Sequence, residues 1–286
     1  MVLIELIRVK HWVKNLFLFI PIFFAGQLME WGKYQQLLLG FVAFSLVASM
    51  VYIVNDLRDY SFDKAHPVKM NRPIASGRIK PGKAIFIAIL FIAIGFSLAW
   101  YIHFSFFILL LCYLLLNLAY SFGLKNFSII DIMIVSSGFL VRIYCGGVLA
   151  DVPVSHWLAI MILLLALFLA LAKRRDDLLV GASKGSIRKS INQYNLEFIN
   201  VCLSIFAGVI IVSYILYTLS PEVIEKFNTD WLFLTSIFVI AGIMRYLQII
   251  YIDNNSGFPT SLLFKDRFIL FTVIAWLISF CIVIYT

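Results

Sequence analysis

The sequence predicts an all-α membrane protein, with nine transmembrane helices and a cytoplasmic N-terminus. Three observations carry that expectation. Hydrophobic residues make up 63% of 286 positions and charged residues 13%, with 27 phenylalanines, more apolar surface than a soluble chain of this size can bury. The apolar residues collect into nine runs, each near the roughly 20 residues a helix needs to cross a bilayer. The Lys and Arg residues fall overwhelmingly on one side of the resulting serpentine.

The nine segments are 12–31, 36–55, 83–102, 104–122, 128–149, 154–172, 198–219, 231–250 and 268–286. Pro21, Gly26 and Gln27 interrupt the first. The residues before it, with Glu5, Arg8, Lys10 and Lys14, are too polar for the apolar region of a cleavable signal peptide. The second runs without a polar break into Asn55. In the fifth, Ser136-Ser137-Gly138 and Gly146-Gly147 let another helix approach closely, and Asp131 and Arg142, three helical turns apart, share a face. The sixth ends in Lys173-Arg174-Arg175-Asp176-Asp177, where Lys173 and Arg174 diverge by about 100°, so at least one can point inward. Arg245 in the eighth suits a side chain snorkelling to the interface. The whole chain, 1–286, reads as a single integral-membrane domain.

Charge tests this count. Nine spans place nineteen of the 23 Lys and Arg residues on one side, leaving Lys33 and Lys226 on the other and Arg142 and Arg245 inside spans. The positive-inside rule puts the nineteen-charge side in the cytoplasm. The net charge of +8 is then explained by this bias and by attraction to anionic lipid, and no nucleic-acid partner is implied. Cys112, Cys145, Cys202 and Cys281 lie singly in apolar runs with no metal-ligand spacing. His11, His66, His103 and His156 are equally scattered. No Gly-rich phosphate loop or Ser-His-Asp set is present.

The chemistry gathers at the end of the second segment, in Asn55-Asp56-Leu57-Arg58-Asp59-Tyr60-Ser61-Phe62-Asp63. Ionisable residues at the edge of a membrane span point to function. At about 100° per helical residue, Asp56, Asp59 and Asp63 fall within roughly 60° of one another, with Asn55 on the flank. Three carboxylates on one stripe repel each other unless a cation sits among them, and hard oxygen donors with room for water and phosphate suit Mg²⁺. Pro67, Pro73 and Gly77 break the loop that follows, so Arg72 and Arg78 can fold back over a metal-bound anion. Trp12 and Lys14, at the start of the first segment, also fit ordinary interfacial anchoring.

Taken together, these motifs resemble the UbiA superfamily of intramembrane prenyltransferases, through Asn55-Asp56-x-x-Asp59-x-x-x-Asp63. The branch of decaprenyl-phosphate phosphoribosyltransferases is resembled through Trp12-x-Lys14-Asn15, His66-Pro67-x-Lys69-x-x-Arg72-Pro73-Ile74-Ala75-x-Gly77, Arg142 with Gly146-Gly147, Lys173-Arg174 with Asp177, Pro259-Thr260 and Asp266-Arg267. The resemblance implies a UbiA-type bundle in a bacterial plasma membrane with its active site at the cytoplasmic face. It implies Mg²⁺-dependent transfer of 5-phosphoribose from 5-phosphoribosyl 1-diphosphate to a polyprenyl (decaprenyl-type) phosphate, for cell-envelope precursor synthesis. Asn55, Asp56, Asp59 and Asp63 would hold the metal, with Asp56 and Asp59 catalytic. Arg72 and Arg78 would grip the donor phosphates, and Lys14, Lys173 and Arg174 the acceptor phosphate, with Asn15, Lys69, Arg142 and Asp177 also binding substrate.

One departure separates the branches. Aromatic prenyltransferases of the superfamily carry a second acidic motif between helices 6 and 7. Here Lys173-Arg174-Arg175 stands there, and the adjacent Asp176 and Asp177 diverge by about 100°. Basic residues suit two anionic substrates better than a prenyl diphosphate and a neutral ring. Isoprenoid transfer to an aromatic or lipid acceptor remains the alternative enzyme. A transporter is disfavoured, because the charges gather at one face rather than the midplane. A homo-oligomer is compatible, since lipid-facing and partner-facing apolar surfaces look alike.

Overall fold

A computed structural model describes residues 2–65, 69–184, 193–252, 262 and 265–285. His66-Pro67, Arg188, Lys189 and Pro259-Thr260 lie outside the described residues. Among the described residues, eight helices are long and apolar enough to cross a membrane, and they coincide with the second to ninth expected segments. The first segment differs. It is an 11-residue 3-10 helix, Val9–Phe19, followed by the five-residue α2, Ile20–Phe24, with Pro21 in the first turn and Gly26 in a left-handed turn beyond it.

The chain divides into two compact units. The first comprises residues up to Lys125 and Ser137–Val154. It holds α1 (Val2–Leu6), the 3-10 helix, α2, α3 (Tyr34–Arg58), α4 (Tyr60–Ala65), α5 (Pro81–Ile102), α6 (Phe104–Ser121) and the C-terminal half of α7 (Ile130–Ala150). α3 is its axis, packed on α5, α6 and the 3-10 helix, with Ala43, Phe44, Val47 and Ile53 fully enclosed. The second comprises Asn126–Ser136 and Ser155 onwards. It holds the first turns of α7, α8 (His156–Lys184), α9 (Leu196–Thr218), α10 (Pro221–Phe227), α11 (Ser236–Tyr251) and α12 (Arg267–Tyr285). In it α8 and α11 each pack on α9, and α12 on α11, around Phe168, Leu171, Ile199 and Leu203.

Runs of 3-10 helix beyond three or four residues are uncommon, and the partners of Val9–Phe19 account for this one. Three residues per turn bring Trp12, Asn15 and Leu18 onto one line. Trp12 Nε1 donates to Ser49 Oγ at 3.0 Å and Asn15 Nδ2 to Ser45 Oγ at 2.9 Å, two α3 hydroxyls one helical turn apart. Leu18, fully buried, lies with its backbone against Gly146 of α7, where a Cβ would press into the Leu18 carbonyl. Gly146 is therefore required for close approach, as expected of the small-residue stretch.

Gly146→Ala should force the 3-10 helix off α7 and cost about 1–3 kcal/mol, the usual penalty of overpacking. A lowered unfolding midpoint in detergent would register it, whereas an alanine at Gly208, where a Cβ meets nothing within 4 Å, should not lower it.

Candidate active site

The acidic stripe sits in the first unit, where α3 ends. Asp59 leaves helical geometry at φ −86°, ψ 8°, but the Asp59 N–H still reaches the Asn55 carbonyl and the Asp63 N–H the Asp59 carbonyl, so the stripe runs nearly unbroken into α4. The side chains sort into two pairs. Asn55 Nδ2 donates to Asp59 Oδ2 at 3.2 Å, one turn apart. Asp56 and Asp63, two turns apart, share Arg72, whose Nη1 lies 3.0 Å from Asp56 Oδ1 and 2.6 Å from Asp63 Oδ2.

Both carboxylates of that second pair are buried, Asp56 at 3% exposure and Asp63 at 2%. A carboxylate so enclosed needs cations and hydrogen bonds to remain ionised. Arg72 supplies one cation from a loop that folds tightly after it. Ser76 Oγ donates to the Arg72 carbonyl at 2.8 Å, Gly77 turns the chain at φ +74°, and Ile74 and Ala75 bury beneath. Arg8 supplies the second cation, ion-paired to Asp56 Oδ1 with its guanidinium 4.8 Å from the Tyr52 ring centre. Arg8 is left-handed at φ 52°, ψ 50°, a conformation costing an L-residue roughly 1–2 kcal/mol. The ion pair and the ring contact offset that strain. Lys125 pairs with Asp59 Oδ1.

Each acid of the stripe therefore has a protein cation. Among the described residues no three His, Cys, Asp or Glu side chains stand together as a metal-binding group, and Arg72 occupies the position between Asp56 and Asp63. The donor set itself is hard oxygen and fits Mg²⁺, and Arg72 marks the place between Asp56 and Asp63 where positive charge is held.

Arg78 does not touch the stripe. It pairs with Glu5 at 2.8 Å and donates to the Asn71 carbonyl and to Ser76 Oγ. Lys69 begins a short 3-10 turn, Lys69–Asn71, directly before Arg72. Arg142, also in this unit, is 5% exposed and among the described residues meets neutral acceptors. Its Nε donates to Asn15 Oδ1 at 2.9 Å, Nη1 to the Gly138 carbonyl at 2.8 Å and Nη2 to Tyr113 Oη at 3.1 Å, with Phe44, Tyr113 and Phe139 against its planar faces. Arg142 and Arg8 are the charged groups acting on Lys14, and among the described residues Lys14 has no carboxylate partner.

The second unit holds Lys173, Arg174 and Asp177. Lys173 is exposed on α8 and Arg174 buried. Arg174 Nε bonds Asp131 Oδ2 at 2.7 Å and Nη1 bonds Asp177 Oδ2 at 2.8 Å. The Tyr194 hydroxyl donates to Asp131 Oδ1 at 2.9 Å and accepts from the Ile129 N–H at 2.6 Å. Burial, together with the Asp131 carboxylate, pushes the Tyr194 hydroxyl up to about 12, which keeps it a donor. Asp131 and Arg142 thus share a helix but bond to different partners. Arg245 is paired with Asp266 at 2.7 Å rather than merely extended to the interface.

Residues 16–265 match the UbiA prenyltransferase family. The chain belongs to that family, and it is a transferase. This UbiA-family chain is 33% identical over 287 residues to the decaprenyl-phosphate phosphoribosyltransferase of Mycolicibacterium smegmatis, across 96% of this chain and 90% of that one. It is 31% identical over 291 residues to the enzyme of the same name from Corynebacterium glutamicum, across 98% and 85%. Its fold matches that of a UbiA homologue from Archaeoglobus fulgidus bound to GPP and Mg²⁺, with a TM-score of 0.74 over all of both chains at 18% identity.

Asp131→Ala removes a carboxylate from a buried guanidinium and should lower stability by about 3 kcal/mol. Tyr194→Phe, which removes one hydrogen bond to that carboxylate, should cost about 1 kcal/mol. Unfolding midpoints of the two variants in detergent check both the sizes and their order.

Proposed function

We propose that this UbiA-family transferase moves 5-phosphoribose from 5-phosphoribosyl 1-diphosphate to a polyprenyl phosphate of the decaprenyl type, releasing diphosphate, with Mg²⁺ as cofactor. The observation carrying this reading is the separation of charge in the first unit. The acidic stripe suits a metal–diphosphate, while Lys14 and Arg142 are cations with no carboxylate partner among the described residues. Two anionic substrates answer that arrangement, and a neutral aromatic acceptor leaves the second set uncompensated. The names of the relatives, matched over most of their length, support the same substrates.

Asn55, Asp56, Asp59 and Asp63 would hold the Mg²⁺, which neutralises charge developing on the diphosphate leaving group. Arg72, Arg8 and Lys125 turn from carboxylate to phosphate oxygens as the donor enters, so the site exchanges one set of ion pairs for another. Guanidinium groups suit this exchange because they grip either anion in a bidentate fashion. Lys14 and Arg142, aligned by Asn15, hold the acceptor phosphate. One of its oxygens attacks ribose C1, and the C1–O bond breaks with its electron pair leaving on diphosphate. An ionised phosphate needs no general base. Arg78 is assigned to the donor phosphates and Lys69 to substrate binding from the sequence motif. Lys173 is assigned to the acceptor side from the sequence motif, and Arg174 and Asp177 are positioning residues within their own network.

The active site lies at the cytoplasmic face in this reading, supported by the nineteen-charge side of the chain, and the product would serve cell-envelope synthesis. A ninth crossing is also part of it. With about 2.0 Å rise per 3-10 residue and 1.5 Å per α residue, Val9–Phe24 reaches about 30 Å, the thickness of a hydrocarbon core.

Purified protein with Mg²⁺, labelled 5-phosphoribosyl 1-diphosphate and a polyprenyl phosphate should yield labelled lipid, and chelation should stop it. Asp56→Ala and Asp59→Ala should each cut turnover at least about 100-fold in protein that still elutes as the folded species. No labelled lipid, with transfer instead from geranyl diphosphate to an aromatic acid, would overturn the proposal.

A further inference from the structure

A cavity of about 340 Å³ opens in the first unit between the N-terminal segment and the loop that carries Arg72. Arg8, Lys10 and His11 line one side, Asn71 and Arg72 the other. Arg8 and Arg72 are the two residues that bond Asp56, so the cavity and the acidic stripe share a wall. Arg8, Lys10 and Arg72 give the lining a net positive charge, beside the apolar Ile4, Val9 and Pro73. Its one acid, Glu5, is already paired with Arg78 at 2.8 Å, whereas Lys10 is exposed and has no ion-pair partner among the described residues. His11 is fixed by the Tyr52 ring, 5.4 Å away centre to centre.

We infer that this cavity receives the 5-phosphate end of the donor, a phosphomonoester on a pentose, with Lys10, His11 and the outer edge of Arg8 as its recognition groups. The inference rests on the phosphoribosyl reading and extends it to Lys10 and His11, residues with no role so far. A phosphoribosyl diphosphate carries an anion at each end, and the stripe accounts for one. The other end needs cations a short distance off, which Lys10 and Arg8 supply here. At about 340 Å³ the cavity lies at the lower end of ligand-pocket volumes. A prenyl diphosphate would put its apolar chain against Lys10 and leave it without a partner, at the cost that unpaired polar groups exact in selective sites. The cavity is thereby a specificity device: it reads the end of the donor that does not react.

The test compares 5-phosphoribosyl 1-diphosphate with ribosyl 1-diphosphate, which has a 5-hydroxyl, on the full-length detergent-purified enzyme. The wild type should prefer the phosphorylated donor in kcat/KM. Lys10→Ala should shrink that preference about tenfold, Lys10→Glu more, and Lys10→Arg should restore it. A merely structural role for Lys10 would lower both donors alike and leave the ratio in place. Such an unchanged ratio, or a wild type indifferent to the 5-phosphate, overturns the inference while leaving phosphoribosyl transfer intact. Should the wild type transfer no phosphoribose, ribose 5-phosphate decides the point by thermal shift. Stabilisation of wild type that Lys10→Glu abolishes upholds a sugar-phosphate pocket, and its absence overturns one.

Discussion

Everything in the first unit answers to two carboxylates that the fold has taken out of water. Asp56 and Asp63 are almost fully buried at the end of an apolar helix, where an unpaired carboxylate would cost several kcal/mol or give up its charge. Their cations come from segments that the chain brings back at some expense. Arg8 occupies a left-handed backbone conformation, and Arg72 stands on a loop that buries Ile74 and Ala75 and turns at Gly77. Lys125, from beyond α6, completes the set at Asp59. The stripe is thus matched by three cations of its own, and in the proposed reading its acids take up a metal when those cations find another anion.

That constraint gives the neighbouring 3-10 helix its meaning. Three residues per turn put Trp12, Asn15 and Leu18 on the ridge that binds Ser49, Ser45 and Gly146, while Arg8, His11 and Lys14 fall on another ridge. The first ridge fastens the segment to α3 and α7, and the second presents basic side chains. Asn15 joins the two functions, since its amide nitrogen bonds Ser45 and its oxygen receives Arg142. A buried guanidinium satisfied by an amide, a phenol and a carbonyl is well hydrogen-bonded but still carries its charge. A phosphate is a natural counter-ion.

The stripe was legible in the sequence because its signal is local: spacings of three, four and seven residues decide which carboxylates share a helix face, whatever surrounds them. The span positions were legible for the same reason, since length and apolarity are properties of a segment. Arg8 and Lys125 could be read only as topology charges. Their partners lie 48 and 66 residues away, and nothing near them in sequence sets them apart from other basic residues. The first segment was read at α-helical period, and only its hydrogen bonds to α3 reveal the tighter winding. Asp131 and Arg142 share a face of α7, which periodicity anticipates, yet each bonds a different set of side chains, which periodicity has no means of expressing. That at least one of Lys173 and Arg174 points inward was legible, but not that it is Arg174, nor that this group is already held by two carboxylates.

The account turns on the claim that the stripe's acids are released to a metal only when an anion takes their cations. Binding of Mn²⁺, as a paramagnetic substitute for Mg²⁺, measured by EPR on the purified protein with and without diphosphate, tests this directly. The account predicts weak binding of Mn²⁺ alone, tightened at least about tenfold by diphosphate, and an equal tightening of diphosphate by Mn²⁺, as linkage requires. Tight Mn²⁺ binding that diphosphate leaves unchanged would contradict it.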